Sequence, residues 1–265
     1  MPARNLAPED APIAPSRAEW DAMSPAERDR VVAALPYIVG TAAKRRGDIH
    51  ARVVDDTVEA LRNRYVRDGP GSRRMYVGRS LTVNYPNTRV FAPDVVVVLD
   101  VTDDPRAGWD VAREGRGVDV AFDVLWRAES VRDCQQNVAL FASVGIPEYF
   151  VFDMNRMVIT GHRLEPSAST YRPILGQGGR FWSEILGLHI AVQGDQFRFF
   201  SGVAMLPTNR ELQRRLHEGM VAAMERAAAE SERANAEAER AEAAMARALA
   251  AEQRLQELLG GQKPD

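Results

Sequence analysis

VDVAFDVLWRAESVRDCQQNVALFASVGIPEYFVFD, residues 118–153, decides how the rest of the chain is read. It opens with Val118, Val120, Phe122 and Val124 alternating with Asp119, Ala121 and Asp123, the period-two pattern of a strand with two faces. A charged segment follows, then Val138-Ala-Leu-Phe141 at helical spacing, stopped by Gly145. A second apolar run, Tyr149-Phe-Val-Phe152, ends at Asp153. The stretch therefore predicts strand, helix, strand, with acids carried on strands in the middle of a sheet. A carboxylate in such a place is costly unless it is paired, metal-bound or engaged in chemistry.

Upstream, Met75 to Val83 and Val90 to Asp100 read as two further strands, joined by a turn at Asn84-Tyr-Pro-Asn87. Pro93-Asp94 leads into Val95-Val-Val-Val-Leu99, and four successive valines mark a central strand covered on both faces. Thr102 to Gly117 is polar and reads as a loop. Before these strands, Ser24 to Leu35 opens as a helix, with Ser24 as cap, Pro25 at the first position and Glu27 completing a capping box. A longer helix is predicted from Asp48 to about Arg67, with Ile49, Val53, Val54, Thr57, Val58, Leu61 and Tyr65 on one face. Downstream, Met157 to Arg163, Tyr171 to Ile174, Leu188 to Val192 and Gln196 to Phe200 read as short strands. These elements predict an α/β fold, a mixed central sheet flanked by helices.

The ends differ in character. Residues 1–18 are polar and rich in Pro and Ala, and are expected to be disordered, as is the tail 261–265. The α/β domain is expected over 19–205, and 206–260 as one long helix without proline. Placing Met220, Ala227, Ala234, Ala241, Ala248 and Leu255 at heptad position d makes every d position apolar; the matching a positions, from Met224 to Leu259, are more mixed. Two arrangements fit: a coiled coil that pairs the chain with a second copy or a partner, or a solvated single helix supported by Glu–Arg pairs.

Composition narrows the function classes. The 265 residues carry a net charge of −3 and 45% hydrophobic residues, so charge alone does not point to nucleic acid. A single cysteine, Cys134, excludes a disulfide framework and a cysteine-based zinc site. No apolar run approaches the ~20 residues that span a bilayer, and no membrane partner is expected; a cytoplasmic location is the expectation. No Walker loop, dinucleotide-binding glycine fingerprint or GxSxG elbow occurs. Of 34 basic residues only Lys44 and Lys263 are lysines.

The chemistry is expected at Asp94 and Asp123, 29 residues apart on adjacent strands, where two carboxylates can share a hard divalent cation. The competing reading makes Pro93-Asp94 a turn into its strand and pairs Asp123 with an arginine. His50 and Glu59, on the long helix, are secondary candidates; so is Trp126, as a base-stacking or core aromatic. Asp119 lies four residues from Asp123, ~13 Å along a strand, and is expected to pair with an arginine. Glu114 and Glu129 read as solvated, Glu148 and Asp153 as structural, and Cys134 as structural. Arg62, Arg64, Arg67, Arg73, Arg74 and Arg79 form the candidate phosphate-binding cluster.

Arg89-Val-Phe-Ala-Pro-Asp94-Val-Val-Val-Val98 and Gly145-Ile-Pro-Glu-Tyr-Phe-Val-Phe-Asp153, with Met23-Ser-Pro-Ala-Glu-Arg-Asp-Arg30 ahead of them, resemble the putative restriction endonuclease family of bacteria within the PD-(D/E)XK nuclease superfamily. The resemblance spans roughly residues 20 to 205. It implies a restriction-endonuclease-like core, DNA as substrate and phosphodiester hydrolysis with Mg²⁺, or Mn²⁺ in its place. Asp94 then matches the motif aspartate, and Asp123 stands where relatives carry glutamate. The motif lysine is missing: Leu125 occupies one of its positions, and Ser130 to Arg132 or Asn137 the other. Arg132 is the expected phosphate-stabilising charge, although a guanidinium cannot accept a proton. An attenuated endonuclease is therefore expected. The alternative is a catalytically inactive module of the same fold, acting through self-association or partner or DNA binding by its C-terminal helix.

Overall fold

The computed structural model describes residues 12–34, 47–65, 74–126 and 129–260. It divides into two compact units, 1–209 and 210–265. The first is built on a six-stranded mixed sheet, and its order follows from where β-branched and aromatic residues concentrate. The strands are β1 (Met75–Arg79), β3 (Val95–Leu99), β5 (Val120–Leu125), β6 (Glu148–Asp153), β7 (Val158–Arg163) and β8 (Arg172–Ile174), adjacent in that sequence. All neighbours are antiparallel except β5 and β6, which run parallel. A parallel pair needs a crossover. Helix α5 (Glu129–Ser143) supplies it and ends in a Schellman turn, with Ile146 N–H bonded to Phe141 O and Gly145 N–H to Ala142 O. Gly145, at φ 82°, holds the left-handed position that this turn requires.

Central strands are buried on both faces, as the valine run implies. Val95, Val97, Leu99, Val120, Phe122 and Val124 face one core, with Val53, Val54, Val58 and Leu61 of α3 (Asp48–Tyr65). That core also receives Leu188, Ile190, Phe197 and Phe199 from a second, four-stranded sheet: β9 (Phe181–Ser183), β10 (Leu188–Gln193), β11 (Gln196–Ser201) and β12 (Ala204–Met205). Val96, Val98, Ala121, Tyr149 and Val151 face the other core, with Phe141 and Ile146 at the end of α5.

Several expectations are corrected. Residues 12–18 are ordered: Val90 N–H bonds to Pro12 O, Ala14 N–H bonds to Thr88 O, and Ser16 caps α1 (Arg17–Ala22). Residues 1–11 and the tail 261–265 lie outside the described residues. The strand expected from Met75 to Val83 breaks at Ser80, whose φ of 45° ends β1; Val83–Asn84 becomes β2 of a separate two-stranded sheet. Residues 90–93 stay outside β3, because Phe91 bridges back to Val83 instead. The polar stretch 102–117 is more than a loop. It holds β4 (Trp109–Asp110), paired with β2, and the short helix α4 (Val111–Glu114). Trp109 is buried there, with the Arg106 guanidinium 4.9 Å from its ring centroid. Ser24 caps α2 (Pro25–Ala34), with Glu27 accepting from the Ser24 N–H as expected.

The described residues of the second unit all lie in helix α6, which starts at Asn209, the last residue of the first unit, and runs 52 residues to Gly260. Met220, Met224, Met245 and Leu255 on its heptad seam are each more than half exposed. No helix of the described residues is long and apolar enough to cross a membrane.

The aromatic centre of the domain is Phe122, fully buried and in ring contact with Phe150, Phe197 and Phe199. Phe122→Ala is expected to lower the unfolding free energy by about 3–5 kcal/mol in urea titrations, because no neighbour on the rigid sheets can collapse into the space.

Candidate functional site

β3 and β5 are antiparallel with Val95 opposite Phe122, so Asp94 and Asp123 meet at one end of this pair. Asp94 donates its backbone N–H to Asp123 Oδ1 at 3.1 Å, and Val124 N–H donates to Asp94 Oδ2 at 2.8 Å. Both acids are buried, Asp94 at 2% and Asp123 at 8% exposure. Side chains from three further elements close around them. His50 of α3 places Nε2 3.1 Å from Asp94 Oδ2, within hydrogen-bond distance. Asn137 of α5 donates Nδ2–H to Asp123 Oδ2 at 2.8 Å, and Tyr149 of β6 donates its hydroxyl to the same oxygen at 2.6 Å. Burial, and then the Asp123 charge, push the Tyr149 phenol well above its ordinary range, so it remains a donor at every pH the fold meets.

Asp94, Asp123 and His50 thus form one hydrogen-bonded cluster, in which the Asp123 carboxylate also accepts from the neutral donors Asn137 and Tyr149. Tyr149 was not legible as a site residue: inside an apolar strand run its hydroxyl looks like packing. The remaining candidates fall elsewhere. Glu59 lies nine residues along α3 from His50, about 13 Å of rise, and makes no hydrogen bond to either acid among the described residues. Arg132 lies in α5, and its side chain, with that of Glu129, is outside the described residues. Trp126 packs against the core that contains α3. Asp119 accepts from Leu99 N–H at 2.7 Å and stands 3.4 Å from Arg116, the arginine pairing expected of it. Glu114 is not merely solvated, since Arg106 pairs with it at 2.9 Å. Glu148 is buried against Arg163 at 2.9 Å, and Asp153 Oδ1 caps the hairpin turn through the N–H groups of Asn155 and Arg156.

The arginine cluster is partly committed. Arg62 donates to Val77 O at 2.6 Å, Arg79 pairs with Asp55 at 3.0 Å and Arg64 is also engaged, while Arg74 is exposed and Arg67 and Arg73 lie outside the described residues. Lys44 and Lys263 also lie outside them.

Among the described residues no three or more His, Cys, Asp and Glu side chains gather in metal-binding geometry, so these residues build no all-protein cage. Two carboxylates on neighbouring strands could hold a hard divalent cation such as Mg²⁺, with water and a substrate phosphate filling the rest.

The chain belongs to the Uma2 family, Putative restriction endonuclease, whose model matches residues 34–193. It is therefore a member of a nuclease family by sequence. Among solved structures, the crystal structure of a putative nuclease from Anabaena variabilis is similar over 55% of this chain and 79% of that one, with 12% identity and a TM-score of 0.43. No curated protein matches.

Cys134 Sγ lies 3.7 Å from the Tyr149 hydroxyl, and burial pushes its thiol up to about 11. At pH 8 the native thiol is expected to react with iodoacetamide on the order of 100-fold more slowly than in the denatured chain. Its rate should rise about tenfold per pH unit up to pH 10, where a free thiol has already levelled off.

Proposed function

We propose that this chain is a Mg²⁺-dependent DNA endonuclease of low intrinsic activity, with Asp94 and Asp123 as the metal-holding acids. The observation that carries the reading is the buried hydrogen bond from Asp94 N–H to Asp123 Oδ1, which fixes two acids side by side at the end of β3 and β5. Membership of a restriction endonuclease family supports phosphodiester hydrolysis and DNA as the substrate. When bound, the cation would neutralise charge on the phosphate oxygens and ease ionisation of the attacking water. The chain's own contribution is positional. Asp94 is oriented by Val124 N–H and His50, and Asp123 by Asn137 and Tyr149. Arg132 on α5 is the residue proposed to hold the phosphate. It supplies charge and hydrogen bonds but takes no proton.

Low activity follows from the donors around Asp123. Asn137 and Tyr149 fill with neutral groups a place where an ammonium would add charge and a titratable nitrogen. That observation also favours the second reading, a non-catalytic module of the same fold that acts by self-association or by partner or DNA binding through α6.

Mg²⁺- or Mn²⁺-dependent nicking of supercoiled plasmid by the full chain tests the proposal. Asp94→Ala and Asp123→Ala are each expected to reduce nicking at least about 100-fold, and Asn137→Lys to raise it about tenfold, because it supplies the missing cation. Absence of nicking by the native chain at millimolar concentrations of both ions would sink the enzyme reading. Sedimentation of the full chain at high concentration tests the self-association of the second reading, which predicts a dimer; a monomer would exclude self-association.

A further inference from the structure

Asp123 is not an ordinary pair of equivalent oxygens. Asn137 Nδ2–H and the Tyr149 hydroxyl both donate to Oδ2, at 2.8 and 2.6 Å, and so engage the two lone pairs of that one atom. Oδ1 faces the other way, toward Asp94, whose N–H it accepts at 3.1 Å. A cation sharing Asp94 and Asp123 must therefore meet Asp123 through Oδ1 alone, unless one of the two donors lets go.

We propose that Tyr149 and Asn137 are positioning residues that hold Asp123 to single-oxygen ligation and thereby select Mg²⁺ over Ca²⁺. The inference rests on the reading of Asp94 and Asp123 as metal-holding acids. Its physical basis is the different coordination of the two ions. Ca²⁺ takes 6–8 oxygens at longer distances and readily accepts both oxygens of one carboxylate; Mg²⁺ demands a compact octahedron and is content with single oxygens plus water. Locking Oδ2 removes the bidentate option that Ca²⁺ exploits and leaves Mg²⁺ untouched. The two donors come from different elements, α5 and β6, so the lock belongs to the fold and not to one mobile side chain. Tyr149 is fully buried and held by ring contacts with Phe141 at 4.8 Å and His162 at 5.8 Å, which fix where its hydroxyl points.

Calorimetric titration of the full chain with Mg²⁺ and, separately, with Ca²⁺ tests this. Tyr149→Phe keeps the ring and removes only the hydroxyl; Asn137→Ala removes the other donor at a half-buried position of α5, where alanine suits the helix. In both variants the ratio of Ca²⁺ to Mg²⁺ affinity is expected to rise by about tenfold or more, the scale on which ligand-orienting partners act. A merely structural role would weaken both ions together, and an unchanged ratio overturns the inference. Asp94→Ala separates the two levels of the argument. If it abolishes Mg²⁺ binding while the ratio stays fixed in the two variants, the metal site stands and the selection fails. If it binds Mg²⁺ like the native chain, or if the native chain binds none, the metal reading falls and takes this inference with it. Should Tyr149→Phe not fold, Asn137→Ala decides alone.

Discussion

The bond from Asp94 N–H to Asp123 Oδ1 is the constraint on which the α/β domain turns. It exists because β3 and β5 run antiparallel with Val95 opposite Phe122, which leaves an acid on each strand at the same end of the pair. Carboxylates buried this far would be strongly destabilising if their oxygens went unmet. They are met from every side: the β5 backbone and α3 on Asp94, α5 and β6 on Asp123. Four elements must therefore be in place before either acid is tolerable. The same requirement makes the cluster a device for specifying how the helices sit on the sheet. Buried polar networks act this way only when each member is satisfied.

Alternation along β5 gives one strand two tasks. Phe122 and Val124 point into the core shared with α3 and the second sheet, whereas Ala121 and Leu125 point toward α5. Asp123 falls on the α5 side, within reach of Asn137, and a register slip of one residue would drive its carboxylate into the phenylalanine cluster. Register is thus enforced from both faces at once. Asp119 repeats the principle at the far end of the pair, where its carboxylate accepts Leu99 N–H and pins β3 to β5 a second time.

How far the sequence discloses this depends on the range of the interaction concerned. β3, β5, β6, α3 and α5 were legible because each is a run of apolar residues at a clear period, long enough to outweigh local exceptions. The break after Arg79 was not, because a positive φ at Ser80 serves the return of Phe91 to Val83, a contact no local pattern encodes. β4 and α4 hid in a polar stretch because Trp109 is buried by Arg106 and by strand β2, not by apolar neighbours in sequence. In the site, Asp94 and Asp123 announced themselves as acids beside valine runs. Tyr149 did not, and His50 and Asn137 showed only as a secondary candidate and as a stand-in position for the motif lysine, since each acquires its contacts only when α3, α5 and β6 converge. A histidine on an amphipathic helix and a tyrosine in an apolar strand are ordinary packing residues until their partners are known.

The two neutral donors on Asp123 set what chemistry they themselves can perform. A lysine beside two acids would do three things: donate hydrogen bonds, offset charge and, when its pKa is lowered, exchange a proton. Asn137 and Tyr149 do only the first. Tyr149 cannot take over the third, because burial and the Asp123 charge hold its phenol protonated. Arg132 in α5 could supply the second but never the third, since a guanidinium stays charged throughout the accessible pH range. Geometry and proton chemistry are therefore separable in the proposed reading: the two acids are held side by side, while neither Asn137 nor Tyr149 is suited to draw a proton from water. In that reading a bound cation would ease ionisation of the attacking water, so the rate should follow the cation's power to acidify water. Such a dependence is what distinguishes a site that keeps its framework but has lost its base from one that has lost both.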